Sequence, residues 1–309
     1  MRDIFVKTLI DIARSDENVH LLTGDLGFGV LKPYWEELPD QFTNVGIAEQ
    51  NMTGIAAGMA LSGKVVYTYS IGNFPTLRCL EQIRNDCAYH DANVKIVCVG
   101  GGFVYGALGM SHHATEDIAI MRALPGVVVI APGDLTEAEA ATKAIYKQQG
   151  VCYLRLGRGG EQRIHSEAPD FQIGRAIKIK NGLKVVIFST GGIFDEAIEA
   201  CNILKKSNID PGLYTFPTIK PIDKQTIIEC MNSYDYIVTL EEHNYIGGFG
   251  GAVSEIISEV KNRNCVQIRI GIEDIYSSIV GDQKYLRDVY GLSSSKIANR
   301  ILSKIASDC

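Results

Sequence analysis

The sequence predicts an α/β protein with two open, mostly parallel sheets, each covered by helices. Three observations lead there. Short β-branched and aromatic runs alternate with helix-period patterns along the chain, the sign of strand–helix–strand units. Several strand-like runs are apolar on both faces, as strands are when helices cover a sheet from both sides. The length, 309 residues, suits two domains at roughly 100–200 residues each. Residues 1–165 are expected to form the first domain. A polar, weakly patterned linker follows over 166–182, then a smaller α/β domain over 183–309.

Composition narrows the function. Hydrophobic residues make up 46% and charged residues 21%, an ordinary globular balance. The net charge of −6 is spread without a block of like charges, which argues against nucleic acid or an anionic membrane as partner. No apolar stretch is long enough to span a bilayer. The segment 1–20 carries Asp3, Asp11, Asp16 and Glu17 among Ile4, Phe5, Leu9, Ile10, Ile12 and Ala13, so it reads as an amphipathic helix rather than a signal peptide. The eight cysteines are scattered without a C-x-x-C pair. Most fall in apolar runs, where a free thiol behaves as a small hydrophobe. A reducing, cytoplasmic setting is the expectation.

The first helix leads to a strand at 19–23. That strand ends in Gly24-Asp25-Leu26-Gly27-Phe28-Gly29. These glycines either form a turn or let a ligand approach the backbone; no G-x-G-x-x-G runs into a helix, so they are not a dinucleotide fingerprint. A strand covers 64–70. Phe74-Pro75 then opens a helix, with Pro near its first position and an apolar stripe of Leu77, Leu80, Ile83 and Cys87. A strand at 94–99 runs into Gly100-Gly101-Gly102 and a loop reaching His113, with Gly106, Ala107 and Gly109 inside it. A helix over about 115–124 and a strand at 127–130 follow. Asp134 and Glu137 read as N-cap and capping-box partner of an Ala-rich helix ending near Gln148, before a strand at 151–156. In the second half, strands at 185–189, 211–216, 236–240 and 265–270 alternate with helices over 193–206, 224–231, 250–260 and from about 294 on. Thr190-Gly191-Gly192, ahead of a helix, reads equally as an anion site or a tight packing contact. Sites in open α/β sheets lie beyond the carboxyl ends of strands. The loops at 24–29, 70–75 and 100–113 and the turn Gly157-Arg158-Gly159-Gly160 each follow a strand directly, so they converge on one rim and predict a single site.

The organising stretch is 42–63, FTNVGIAEQNMTGIAAGMALSG. Asn44-Val45-Gly46-Ile47-Ala48-Glu49-Gln50 enters a helix rich in small residues (Gly54, Ala56, Ala57, Gly58, Ala60, Gly63), against which another backbone can pack closely. Glu49 stands where that helix begins. A carboxylate there is ordinarily ionised and solvated; one buried against an apolar partner becomes a usable acid or base. Spacing leaves both readings open.

These residues resemble a known family. Asn44-x-Gly46-Ile47-Ala48-Glu49-Gln50 and the helix after it are similar to the pyrimidine-binding domain of thiamine diphosphate enzymes, more narrowly transketolase and deoxyxylulose phosphate synthase. Gly24-Asp25-Leu26, Phe74 with Arg78-x-x-Glu81-Gln82, Ser111-His112 before Glu116-Asp117-Ile118-Ala119, Arg122-Ala123-Leu124-Pro125 and Arg158 agree in order. Lys220-Pro221-Ile222-Asp223 and Glu241-Glu242-His243-x-x-x-Gly247-Gly248 resemble the family's C-terminal domain. The resemblance implies a transferase that moves a two-carbon ketol unit between sugar phosphates by means of thiamine diphosphate, which forms a carbanion at its thiazolium C2 and acts as an electron sink. By the same resemblance, Glu49 is catalytic and shares a proton with the pyrimidine N1′, in a dry site beside Ile47 and Ala48. Phe74 stacks on that ring, and Asp25, Leu26, Ile47 and Arg78 complete the cofactor-binding set. His112 is catalytic and contacts substrate. His113 joins it where the family usually has Gln, and Arg158 grips an acceptor phosphate with its planar fork. Arg155, on the strand that leads to Arg158, reads as structural.

Two positions depart from the pattern. A family aspartate that bonds donor hydroxyls falls on Leu108, and a family histidine falls on Gly100, so the donor is less hydroxylated or is held differently. The Gly-Asp-Gly with a downstream Asn that binds diphosphate and Mg2+ is absent, and this chain is expected to supply no metal ligand. The resemblance therefore implies the C-terminal subunit of a split transketolase. Its N-terminal partner subunit would hold the diphosphate and Mg2+, in a cytoplasmic α2β2 heterotetramer with a homodimeric core that serves carbohydrate metabolism. Two other readings share these features: the beta subunit of a 2-oxo-acid dehydrogenase, and a non-catalytic partner subunit. Gly-Ile-Ala-Glu-Gln and Arg-Ala-Leu-Pro resemble the transketolase side more.

Overall fold

The structure is a computed structural model that describes residues 1–165, 167–261 and 265–307. Positions 166, 262–264 and 308–309 of the expected linker and second domain lie outside the described residues. The strands are β1 (Val19–Thr23), β2 (Phe42–Asn44), β3 (Val65–Ile71), β4 (Val94–Val99), β5 (Val128–Ile130), β6 (Cys152–Leu156), β7 (Ile177–Lys180), β8 (Val185–Thr190), β9 (Gly212–Thr215), β10 (Thr218–Lys220), β11 (Tyr236–Asn244) and β12 (Val266–Ile272). The helices are α1 (Arg2–Ser15), α2 (Lys32–Glu37), α3 (Glu49–Leu61), α4 (Leu80–Gln82), α5 (Asp117–Ala123), α6 (Leu135–Lys147), α7 (Phe194–Lys206), α8 (Lys224–Ser233), α9 (Phe249–Glu259), α10 (Gln283–Val289) and α11 (Ser294–Ser307).

Two mostly parallel sheets result. The first runs β10-β5-β6-β4-β3-β1-β2 and the second β12-β11-β8-β9-β7. The central strand β4, Val-Lys-Ile-Val-Cys-Val, is buried at all of its positions, because helices lie on both faces. Ile96 and Cys98 face Met52, Ala56 and Ala57 of α3 and Ile118 and Met121 of α5. Val97 and Val99 face Phe5 and Leu9 of α1 and Ala138 and Ala141 of α6. In the second sheet, Ala197, Ala200 and Leu204 of α7 and Ile297 and Ile301 of α11 close over Ile187, Leu240 and Ile270. The cysteines of the described residues are free and buried.

Several elements differ from expectation. Asp134 caps α6 through a 2.8 Å bond from the Glu137 N–H, but Glu137 reaches the Gly133 N–H instead of returning to Asp134. The segment after Phe74 does not start a helix. Thr76 Oγ1 and Cys79 Sγ donate to the Gly72 and Phe74 carbonyls and hold a chain of turns, and α4 begins only at Leu80. It continues as a π-helical turn, Ile83–Ala88. Within the expected linker, β7 forms an antiparallel edge strand on β9. A strand from the second half, β10, crosses over and pairs antiparallel with β5, so the two halves share a sheet.

Candidate active site

Because β6, β4, β3 and β1 are adjacent and parallel, the loops after them meet along one rim, as the sequence predicts. They are stitched together. Gly72 N–H donates to Val99 O at 2.8 Å and Gly100 N–H to Leu156 O at 2.8 Å. Asn44 Oδ1 accepts from the Asp25 and Gly46 N–H groups at 2.9 and 3.0 Å, while its Nδ2 donates to Asp25 Oδ1. Asp25 sits in the left-handed region at φ 56°. An aspartate tolerates that region better than most residues do. The sequence does not point to Asn44 as the clasp between this turn and the approach to α3.

Glu49 is the first residue of α3 and is only 3% exposed. Gly24 lies against it: a Cβ there would touch Glu49 Cγ at 3.6 Å and press on the Gly46 carbonyl at 3.3 Å. Arg78 Nη1 donates to Glu49 Oε2 at 2.8 Å; no donor among the described residues reaches Oε1. The Arg78 guanidinium lies 4.9 Å from the centroid of the Phe74 ring. Phe74 in turn meets His112 edge-on at 5.2 Å. Asn73 Nδ2 donates to the Ser111 carbonyl at 3.1 Å, and Ser111 Oγ bonds His112 Nδ1 at 3.1 Å. The structure thus brings Glu49, Arg78, Phe74 and His112 into one contiguous group, joined from the segments after β2, β3 and β4. A buried carboxyl with one oxygen left free, next to an aromatic ring and open to the rim, fits the pyrimidine half of thiamine diphosphate.

The other expected residues are placed differently. Ile47 is 78% exposed and does not wall off Glu49. Leu26 is half-buried, with its carbonyl accepting from Thr23 Oγ1. His113 turns inward. Its ring meets Phe103 edge-on at 5.2 Å and Nε2 faces the Gly106 carbonyl at 3.4 Å, and burial pulls its pKa below the usual imidazole value. Arg158 is exposed at the end of β6 with its guanidinium over Tyr105 at 5.4 Å. Its neighbour Glu161 is already paired with the Met1 ammonium at 2.5 Å. Leu108 is 56% exposed on the loop before His112. At Gly100 a side chain would collide with the Tyr105 ring, and φ is +97°, so Tyr105 fills the room that a side chain at this position would need.

Behind the rim lies a buried ionic network that the sequence does not announce. Asp117 accepts from Tyr153 Oη at 2.5 Å and from Arg155 Nε at 2.7 Å, and Arg155 Nη2 also reaches the Ala114 and Glu242 carbonyls. Burial pushes the Asp117 pKa up, but Arg155 and His243 outweigh it and hold the carboxyl below its ordinary range. Glu241 accepts the Phe249 and Gly250 N–H groups at the start of α9. Glu242 accepts from the Phe103 N–H, from Gln283 and from Arg287 Nε. Elsewhere, Asp134, Glu137 and His165 converge. Their carboxylate oxygens already accept from Glu137, Ile164, His165, Gly133 and Thr215, so the cluster is satisfied by the chain itself. Among the described residues no helix is long and apolar enough to cross a membrane.

Comparison with known proteins agrees with this architecture. The family model "Transketolase, pyrimidine binding domain" matches residues 1–160, and "Transketolase, C-terminal domain" matches 174–297. A Methanocaldococcus jannaschii protein named as a transketolase C-terminal section is 39% identical over 308 residues, covering 99% of this chain and 96% of that one. A Phocaeicola vulgatus protein, one of the subunits of an apulose-4-phosphate transketolase, is 35% identical, covering 97% and 96%. Among solved structures, "Split gene transketolase, inactive beta4 tetramer" superposes with a TM-score of 0.87 at 31% identity, covering 98% and 96%. With both family domains present in order and these relatives matched nearly end to end, the chain belongs to the transketolase family, whose domains imply dependence on thiamine diphosphate.

Proposed function

We propose that this chain is the catalytic C-terminal subunit of a two-chain transketolase that moves a two-carbon ketol unit between sugar phosphates or related sugars. The observation that carries this reading is the Glu49–Arg78–Phe74–His112 group on an open rim. Thiamine diphosphate, when bound, supplies the carbon nucleophile at C2 that carries the two-carbon unit. Arg78 holds Glu49 Oε2 and leaves Oε1 to share a proton with the pyrimidine N1′. Phe74 offers the ring face that Arg78 does not cover, and Asp25 and Leu26 present backbone from the first turn. His112 contacts the substrate. Arg158, anchored over Tyr105, takes an acceptor phosphate, and Leu108 favours a donor with fewer hydroxyls at that position. His113 orients the loop from behind.

The rim supports a partner chain as well. Phe28, Ile47, Leu77, Leu108 and Met110 are large apolar residues left exposed on the segments around Glu49. Apolar surface gathered at one place marks an interaction site. The absent Gly-Asp-Gly leaves the diphosphate charge and Mg2+ to that partner. An α2β2 heterotetramer with a homodimeric core, working in the cytoplasm, is the assembly that follows. Relatives named as one subunit of an apulose-4-phosphate transketolase and as a transketolase C-terminal section support the split between two chains. Titration calorimetry tests the reading. The chain alone should take up no thiamine diphosphate at micromolar levels with Mg2+, and adding a partner chain that carries Gly-Asp-Gly should restore Mg2+-dependent binding and ketol transfer. Micromolar, Mg2+-dependent binding by the isolated chain would overturn it.

A further inference from the structure

We propose that Glu242, in the C-terminal half of the chain, is a positioning residue for His112: its carboxylate sets the Gly102–Ala114 loop through the Phe103 N–H. The inference rests on the reading of His112 as the substrate-contacting group.

The loop is closed at its base and pinned at its tip. At the base, Gly102 and Ala114 exchange two backbone bonds, of 2.7 and 3.1 Å. Directly above, Glu242 Oε1 accepts the Phe103 N–H at 2.6 Å in a buried setting. A side chain on Gly102, at φ +65°, would collide with the Glu242 carboxylate, so the glycine exists to admit this group. Glu242 is itself fixed. Gln283 Nε2 donates to both of its oxygens at 3.0 Å and Arg287 Nε to Oε2 at 2.6 Å, and Arg287 is tied on to the Gly192 carbonyl and Asp195. At the tip, a Cβ on Gly106 would meet Leu286 and lie 2.6 Å from the Gly281 carbonyl. From the base the contact passes outward. The Phe103 ring stacks on Tyr290 at 5.2 Å and meets His113 at 5.2 Å, and the next residue is His112, whose ring rests against Phe74. Groups from the second half of the chain therefore hold the loop at base and tip, while the His112 ring projects to the rim.

A hydrogen bond to a charged acceptor is stronger than a neutral one. Its loss lets the loop base shift, and a displacement of about 1 Å in a positioning group is costly to catalysis. The test uses the complex reconstituted with the partner chain. Glu242→Ala should raise KM for the ketose donor about tenfold and leave hydrogen–deuterium exchange at thiamine C2 unchanged, because exchange depends on Glu49. Glu242→Gln keeps an acceptor oxygen and should recover most of the loss. The double variant His112→Ala/Glu242→Ala should be no worse than His112→Ala alone. If Glu242→Ala fails to fold, Gln283→Ala, which loosens the carboxylate and keeps the Arg287 pair, should raise KM in the same direction with an unchanged melting temperature. Unchanged KM in the Glu242 and Gln283 variants beside an impaired His112→Ala would overturn the inference alone, as would fully multiplicative effects in the double variant. A kinetically silent His112→Ala would overturn both the inference and the substrate-binding reading on which it rests.

Discussion

Glu49 and Glu242 are both buried glutamates bonded to an arginine, and their surroundings differ in every other respect. Glu49 has one protein donor, from an arginine whose side chain is 49% exposed, and its second oxygen is unclaimed among the described residues. Glu242 has three donor groups, and its arginine is as buried as it is. The same contrast divides His112, held by Ser111 and an aromatic edge on the rim, from His243, fully enclosed with Nδ1 on the Asn244 carbonyl and Nε2 on the Ala119 N–H. A saturated group is a strut, because no hydrogen-bonding capacity remains for a ligand. An unsaturated one at a rim is available for chemistry. The contrast also warns against reading perturbed ionisation as a sign of catalysis. Burial raises the Glu241 pKa to about 7 and lowers that of His243 to about 4, and both belong to the junction between the halves. Perturbed groups gather at functional sites, but structural ion networks perturb them too.

The largest effect expected separates the two glutamates. Glu49→Gln keeps the shape of the side chain and removes proton transfer, so C2 exchange in the assembled complex should fall roughly 10²–10⁴-fold. Its partner Arg78 is half exposed, and such pairs contribute about 0–1 kcal/mol to stability, so the melting temperature should barely move. Exchange as fast as in the wild type would place Glu49 among the struts.

A break in the junction should show the reverse profile. Asp117→Ala leaves Arg155 buried without its carboxylate and Tyr153 without an acceptor. Removing one partner of a buried pair costs about 3–5 kcal/mol. Urea unfolding should report that loss; a change under about 1 kcal/mol would mean the network carries little of the fold.

A third effect is the pH dependence of the junction. His243 is kept neutral by burial, with Asp117 opposing and Arg155 assisting. Its folded pKa, about 4, lies below the unfolded value of 6.5. The stability this provides is fully present above pH 6.5 and is lost as pH falls through that value toward 4. A shift of that size corresponds to about 3 kcal/mol. Glu241 opposes it: its raised pKa makes it a liability that grows as pH climbs from 4.5 to about 7. His243→Gln removes the first contribution, so the variant should lose less stability than the wild type between pH 7 and pH 4.5. Parallel unfolding curves over that range would remove His243 from the balance.

The parallel sheets were legible because burial on both faces leaves its mark in composition: β4 is apolar at five of its six positions. The rim was legible because each glycine-rich loop follows a strand of the same sheet. Three things were hidden, each for a physical reason. Pro75 signals a helix start, but Thr76 Oγ1 and Cys79 Sγ bond back to the Gly72 and Phe74 carbonyls, and the segment stays a chain of turns until Leu80. The strands β7 and β10 are too short to carry a pattern, and both are stabilised by partners far along the chain. Finally, His112 and His113 are neighbours whose sequence cannot say which faces in. The Phe103 ring and the Gly106 carbonyl decide it.

The smallest effect concerns Arg158, which belongs to neither class so far. It is exposed like the rim groups, yet it is held in place over Tyr105, and an exposed cation–π contact of this kind is worth roughly 0.5–1 kcal/mol. The nearby carboxylate of Glu161 is taken by the Met1 ammonium, so the guanidinium is not spent on that neighbour. A charge-assisted bond to phosphate contributes roughly 1.5–3 kcal/mol, or about ten- to a hundred-fold in binding. Arg158→Ala should therefore raise KM for a phosphorylated acceptor by about that factor and leave C2 exchange alone. Arg158→Lys retains the charge, gives up the fork and the stacking, and should fall between the two. If instead Arg158→Ala lowers the melting temperature and slows C2 exchange along with transfer, the residue is a strut like Arg155. If transfer to every phosphorylated acceptor is unaffected, the acceptor phosphate is bound elsewhere on the rim or the acceptor carries none, an outcome that Leu108 and the filled space at Gly100 would help to explain.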